Sequence, residues 1–405
     1  MNKIIASLMI VSAALSLHAA SFDAFSRKAQ NGARLTVAFL GGSLTWGANA
    51  SDPLKTSYRA LVGKALQEKY PKAHFTFVNA AIGGTGAQLG LFRLERDVLS
   101  HKPDLMFLDF TLNDNLYKIS DATLSAYESI IRQTLEKGCL VVPVFLAAKT
   151  HVEEKDLNKM LRRTENRKMA DHYNLPVADA VLLMNTLYHN GKLDLNTIWP
   201  PDSFDNTHPV DAGYKLYAQA VMEAYNHGVN NKMQTRIPAQ WTSNTSYRNV
   251  ARVKASELTP LPQGWEISKP ETNAIAFDFV MSRWLDNIVR AANNRRVGRD
   301  KYEMHDKPVE ALSFRMKGSS IMLFGEAKGT GGDFRVEING KLLPRTFSGR
   351  RGNGVMPLVL NIVDNLDGKV EHRVQIIPEF LLDKAQELRI ESICVAGSGE
   401  VYVKQ

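Results

Sequence analysis

Apolar positions divide the chain into two patterns. Over the first half, short apolar runs alternate with stretches whose apolar residues recur at helical spacing. The runs Arg34 to Leu40, Phe75 to Asn79, Leu105 to Phe110, Leu140 to Ala147 and Pro176 to Asp179 predict strands. Helices are predicted from Ser57 to Tyr70, Leu89 to Leu99, Leu124 to Lys137, Val152 to Tyr173 and Val210 to His227. Pro71 stops the first of them and Gly138 caps the third. Alternation of this kind predicts a parallel sheet covered by helices on both faces, a three-layer α/β domain. The pattern stops near Gly228. From about Glu310 to the end the runs alternate in polarity, as in Leu312 to Met316, Ser320 to Phe324, Phe334 to Ile338 and Arg373 to Ile377. With turns such as Asn339-Gly340, they predict an antiparallel β-sandwich. The span from Lys232 to Asp306 mixes strand and helix signals.

Composition adds a location to this picture. A chain of 405 residues exceeds one ordinary core, so two domains are expected, and 44% hydrophobic with 23% charged residues is ordinary for a globular protein. The N-terminus stands apart. Lys3, the apolar run Ile4 to Leu17 and the small residues Ala19-Ala20-Ser21 read as a secretory signal peptide, too short to span a membrane. The expected organisation is a signal peptide over 1–20, an α/β domain over 21–235, and a linker region with a jelly-roll-like sandwich over 236–405. Secretion or export to a periplasm follows, and no later run reaches the ~18 apolar residues of a membrane helix. Cys139 and Cys394 lie in apolar runs of different expected domains and read as buried small hydrophobes, not a disulfide. No C-x-x-C or clustered histidines suggest a metal. The net charge of +8 permits acidic partners. Basic residues between Arg283 and Lys301 (with Arg295, Arg296 and Arg299) and at Arg345, Arg350 and Arg351 read as a solvated face. Nucleic acid is not an expected partner outside the cytoplasm.

The strand ends carry the candidate chemistry. The first run closes on Gly41-Gly42-Ser43, the second on Gly83-Gly84 and the third on Asn113-Asp114, while His208 enters the last helix. In a parallel sheet these positions gather at one edge. Ser43 can act as nucleophile and His208 as its base. Asp205, three residues earlier, can reach Nδ1 of the imidazole and leave Nε2 facing Ser43. The N–H groups of Ser43 and Gly84, with the Asn113 amide, can stabilise an oxyanion, although Gly83 could take the place of Gly84. Asp114 reads as holding its turn. Trp46 and Trp199 flank these blocks and suit either stacking on a sugar ring or packing in a core. The string Gly84-x-Gly86 with Gly90 has the wrong spacing for a dinucleotide, and no cofactor is expected.

These residues carry a resemblance. Gly41-Gly42-Ser43-Leu44-Thr45-Trp46-Gly47, Asn79-Ala80-Ala81-Ile82-Gly83-Gly84, Thr111-Leu112-Asn113-Asp114 and Asp205-Asn206-Thr207-His208 resemble the four blocks of the SGNH hydrolases, the GDSL-type esterases and lipases. The resemblance covers roughly Leu35 to Asn226. It implies a flavodoxin-like catalytic domain, a triad of Ser43, Asp205 and His208, and an oxyanion hole of Ser43, Gly84 and Asn113. Two positions depart from the family pattern: Gly42 replaces an aspartate and Thr111 replaces a glycine. Gly-Gly-Ser and an attached β-sandwich are similar to secreted carbohydrate esterases. The resemblance therefore implies an esterase that removes O-acetyl groups from glycans. The rival readings are a lipid esterase, lysophospholipase or thioesterase on the same triad, and a carbohydrate-binding protein without activity.

Overall fold

A computed structural model describes residues 20–271, 287–298, 301–305, 307–352 and 354–405. All of the expected signal peptide except Ala20 lies outside the described residues, as do Arg283 and Arg299 of the basic stretch.

Strands β1 (Arg34–Gly41), β2 (His74–Ala81), β3 (Leu105–Asp109), β4 (Leu140–Phe145) and β5 (Ala178–Asp179) form one parallel sheet in the order β2-β1-β3-β4-β5. The chain leaves β1 to one side for β2 and returns to its other side for β3, so the two strands open a crevice at their C-terminal ends. Helices fill both faces. Val37 and Phe39 of β1 join a core with Tyr58, Val62 and Leu66 of α3 (Tyr58–Lys69) and with Tyr214, Tyr217 and Val221 of α10 (Asp211–Asn230). Ala38 and Leu40 point the opposite way, toward Leu89 of α4 (Ala87–Phe92), Ile130 of α6 (Asp121–Glu136) and Met169 of α8 (Leu161–His172). The period of two along the strand distributes these side chains.

Two long predicted helices are broken. Where Leu89 to Leu99 was expected as one helix, α4 stops at Arg93 and short turns follow. The buried Arg93 guanidinium donates to the carbonyls of Ala80 (2.6 Å) and Gly41 (3.3 Å), fastening the ends of β1 and β2. The stretch Val152 to Tyr173 splits into Lys149–Glu153, a 3₁₀ turn at Leu157–Lys159, and α8. Here acidic side chains capture backbone N–H groups: Glu154 takes that of Asp156 (3.1 Å) and Asp156 that of Asn158 (3.0 Å). Such local bonds compete with the helix. A helix at Ala180–His189 is added where none was expected.

The second half is a sandwich of two antiparallel sheets. It begins earlier than Glu310. Strands at Asn249–Lys254, Trp265–Ser268 and Ile288–Ala292 belong to it and line the sheet built on Ser320–Ala327 and Glu387–Gly397. Their early position was hidden because each is short and because Asn249–Lys254 and Ile288–Ala292 pair with the distant strand Glu387–Gly397. Strands Ser320–Ala327 and Glu387–Gly397 are buried on both faces. Leu323 and Ile393 enter the sandwich interior, whereas Met322, Phe324, Cys394 and Ala396 pack on the α4–α6 layer of the first half. The two halves thus share a core. Cys139 and Cys394 are both free and buried. Glu128 of α6 secures the connecting segment: its buried carboxylate accepts from Tyr173 Oη (2.6 Å) and from the N–H groups of Thr242 (2.8 Å) and Ser243 (2.7 Å).

One buried histidine gives the fold a pH signature. His151 Nδ1 accepts the Ala148 N–H (3.1 Å), and burial pushes its pKa down to about 4. The native state keeps this ring neutral while the unfolded chain protonates near pH 6.5. Its contribution to stability therefore falls as pH drops from about 6.5 toward 4. His151→Asn retains an acceptor without a titrating ring. Urea unfolding of wild type and this variant should show a stability difference that shifts in favour of the variant across that window. A pH-independent difference would exclude His151.

Candidate active site

The C-terminal ends of β1, β2 and β3 and the loop before α10 converge on one cleft of about 550 Å³. Ser43 opens a single helical turn, Ser43–Trp46, directly after β1. Gly42 is required there for space: a Cβ at this position would lie 2.3 Å from Asn113 Oδ1. Its replacement of the family's aspartate is therefore matched by the close approach of Asn113. The turn is tied beneath by Thr45, whose hydroxyl donates to Asp109 Oδ2 (3.2 Å) and meets Tyr58 Oη (3.0 Å).

Asp109 ends β3 and anchors the next block as well. Its Oδ1 accepts from the Thr111 N–H (3.0 Å) and hydroxyl (2.6 Å). The same Thr111 oxygen accepts the Leu146 N–H (3.1 Å) after β4. Threonine in place of the family's glycine thus bridges two strand ends. Burial pushes the Asp109 carboxyl up to about 6 despite these donors. Asp114 is also buried. Its carboxylate accepts from Arg162 Nη2 (2.9 Å) and the Ala87 N–H (3.1 Å), joining the Asn113 turn to α8 and to the start of α4. Burial pushes it up to about 6, against the pull of Arg162.

Across the cleft, His208 Nε2 lies 2.7 Å from Ser43 Oγ, and His208 Nδ1 lies 2.7 Å from Asp205 Oδ2. Asp205 Oδ1 accepts the N–H groups of Thr207 (2.8 Å) and His208 (3.0 Å). Burial opposes the Asp205 charge, but bonds from the His208 N–H, the His208 ring and the Thr207 N–H outweigh it and hold the carboxyl below its usual value. With Nδ1 donating to this carboxylate, Nε2 is left to accept from the Ser43 hydroxyl. Gly84 has φ +73°, a conformation that favours glycine, and lines the cleft with Gly83 and Asn113. Among the described residues, the Ser43 N–H, the Gly84 N–H and the Asn113 amide have no acceptor within the protein. Three unsatisfied donors beside a hydroxyl–imidazole–carboxylate chain form an arrangement able to transfer an acyl group.

The tryptophans do not join it. Trp199 is 1% exposed, packed in the core of the α1–α10 face (α1, Phe22–Gln30), so the expectation of sugar stacking at this residue is corrected. Trp46 is half-buried and does not line the cleft. An exposed aromatic, Phe204, stands next to Asp205. The second half of the chain supplies a wall that no local signal announced: Arg351, Met356, Pro357 and Val359. Arg351, read above as part of a solvated face, borders the cleft. Among the described residues, no group of His, Cys, Asp and Glu side chains suited to a metal occurs, and no helix is long and apolar enough to cross a membrane.

Comparison with known proteins bears on both halves. Residues 39–216 match the GDSL-like Lipase/Acylhydrolase family. The acetylxylan esterase of Geobacillus stearothermophilus is 27% identical over 204 residues, 45% of this chain and 90% of that protein. A two-domain esterase active on acetylated mannans, co-crystallised with mannopentaose, superposes with a TM-score of 0.72 at 20% identity, covering 95% of this chain and 98% of its own. Another structure of a two-domain esterase active on acetylated mannans gives 0.71, with 92% and 94% covered. The likeness extends through both the parallel-sheet domain and the sandwich.

The loop before α10 contains two aspartates, and the contact geometry ranks them. Asp205→Asn should lower kcat by about 10⁴-fold, the loss seen when such a carboxylate no longer fixes the imidazole tautomer. Asp202→Asn should stay within a few-fold of wild type. Steady-state rates on p-nitrophenyl acetate decide the ranking, and the reverse order would remove Asp205 from the triad. On the same assay Asn113→Ala should cost about 10²- to 10³-fold in kcat, the loss of one oxyanion donor.

Proposed function

We propose that this protein, whose residues 39–216 match the GDSL-like Lipase/Acylhydrolase family, is a serine esterase that removes O-acetyl groups from polysaccharides or oligosaccharides. The observation that carries the reading is the pair of 2.7 Å contacts linking Ser43, His208 and Asp205 beside unfilled hydrogen-bond donors. Ser43 Oγ attacks the ester carbonyl as His208 Nε2 takes its proton. The oxyanion forms toward the Ser43 and Gly84 N–H groups and the Asn113 amide. The bond from the carbonyl carbon to the sugar oxygen then breaks, and His208 returns the proton to that oxygen. Water attacks the acyl-serine with His208 again as base, and Ser43 recovers its proton as acetic acid leaves. Asp205 stays ionised throughout and stabilises the imidazolium.

The choice of a short acyl group and a glycan rests on the walls of the cleft. Small or polar residues, Gly83, Gly84, Asn113 and Thr207, line the cleft with Ser43, while Leu112, Met356, Pro357 and Val359 supply its apolar wall. Leu89, Leu91 and Phe92, which a groove for a fatty chain would use, are buried in the helix layer. Each methylene of a long acyl chain adds about 0.8 kcal/mol only where apolar surface receives it. A cleft walled by both halves, with Arg351 and Met356 lining it together with Thr207 and His208, suits a substrate longer than its acyl group. The names of the acetylxylan and acetylated-mannan esterases support the same class. The apolar run Ile4 to Leu17 supports secretion.

Two measurements test the reading. On p-nitrophenyl esters, kcat/KM should be highest for acetate and fall steeply by octanoate, and acetate should be released from acetylated mannan or xylan oligosaccharides. A profile rising toward octanoate would favour the lipid esterase. Ser43→Ala should lower kcat by about 10⁴-fold or more with little change in stability. An alanine variant retaining a tenth of the activity would exclude Ser43 as nucleophile.

A further inference from the structure

Ser43 and His208 belong to different segments, and something must register one against the other. The segment after the Ser43 turn is fastened to the segment around His208 by a group of hydrogen bonds. Ala48 O accepts from Tyr214 Oη (2.6 Å). The Ser51 N–H and hydroxyl donate to Asp211 (2.8 and 2.5 Å), and the Thr56 hydroxyl donates to the same carboxylate (2.8 Å). Between these fastenings lies Asn49. Its side-chain amide donates to Asp205 Oδ2 (3.1 Å) and to the His208 carbonyl (3.2 Å). Oδ2 is the oxygen that also receives His208 Nδ1. Asn49 has φ +66°, in the left-handed region where asparagine is among the best tolerated side chains.

We propose that Asn49 is a positioning residue of the triad, its amide holding Asp205 and the backbone of His208 in register with Ser43. The proposal rests on the esterase reading above and adds a residue that contacts no reacting atom. Two consequences follow from one amide. It stops the Asp205–His208 loop from drifting away from the nucleophile, where a displacement near 1 Å can cost about 10²-fold. It also shares Oδ2 with the imidazole, which lowers the negative charge that the imidazolium sees. Charged groups on the neighbouring segments include Asp211 with Lys215, Asp52 with its partner Lys55, Arg59 on the Trp46 and Pro53 carbonyls, Lys149, whose N–H donates to the Asn206 carbonyl, and Arg351 at the cleft wall, with Tyr58 and Tyr214 buried. A substitution at Asn49 leaves all of them in place.

Asn49→Gly removes the amide and accepts the backbone conformation. It should lower kcat on p-nitrophenyl acetate by about 10- to 100-fold, the range for a lost hydrogen bond to a charged group, with KM within about two-fold. The acid limb of kcat/KM should move to higher pH, because a less neutralised Asp205 favours imidazolium. Asn49→Asp keeps the shape but sets a second carboxylate against Asp205, and should move the limb further in the same direction. Rates are normalised to folded protein by thermal unfolding. An Asn49→Gly enzyme with wild-type kcat and limb, or one losing activity only in proportion to lost folded protein, overturns the proposal. Ser43→Ala run alongside separates this from failure of the esterase reading. If that variant keeps its activity, the reading falls. If it is inactive while Asn49→Gly matches wild type, only the role of Asn49 falls.

Discussion

The 2.7 Å contact between Ser43 Oγ and His208 Nε2 spans 165 positions of sequence, and much of the first half of the structure serves to hold its two ends. A hydrogen bond of this length tolerates displacements of only a few tenths of an ångström before it weakens. One end is fixed from below, where Asp109 binds both Thr45 of the serine turn and Thr111 of the neighbouring strand end. Arg93 ties the Gly41 and Ala80 carbonyls from the side. The other end is fixed by Asp205, whose two oxygens bind the ring and the backbone of the same histidine.

Those supports are themselves buried and polar. Asp109, Asp114, Arg93 and Arg162 sit almost wholly out of water. Asp114 and Arg162 form an ion pair that contributes little net stability over an apolar replacement, but removing one partner would strand a charge. What such groups provide is a fixed arrangement of strand ends and turns. An apolar core is less directional and would leave the donors around the cleft free to drift. Gly84 and Asn113 are exposed at the cleft, so their donors are open to a substrate while the structure around them is tied down.

The sandwich is joined to this framework through a shared core. Strands Ser320–Ala327 and Glu387–Gly397 bury one face in their own domain and the other on α4 and α6. A face buried in this way resists sliding, so the wall of Arg351, Met356, Pro357 and Val359 keeps its place at the cleft. The second domain therefore contributes to the shape of the site as well as covering a helical layer.

The sequence by itself determined the elements whose causes are local. Apolar runs gave the parallel strands within a residue or two, and Gly138 marked a helix end through a conformation (φ +76°) that glycine adopts freely. It also singled out Ser43, Asp205 and His208, whose side chains the fold brings into contact, because a hydroxyl after Gly-Gly and an acid three residues before a histidine are short-range arrangements. The helices misread at Arg93 and at Glu154 failed for a physical reason: their side chains bind backbone groups in preference to continuing a periodic pattern. Trp199 was open between stacking and burial because an indole suits both, and only the packing of α10 over the core decided it. Tertiary structure alone brought Asn49 to Asp205 and Arg351 to His208's cleft. These contacts join segments far apart in the chain, and their residues look like any other exposed polar side chains until the fold places a partner beside them.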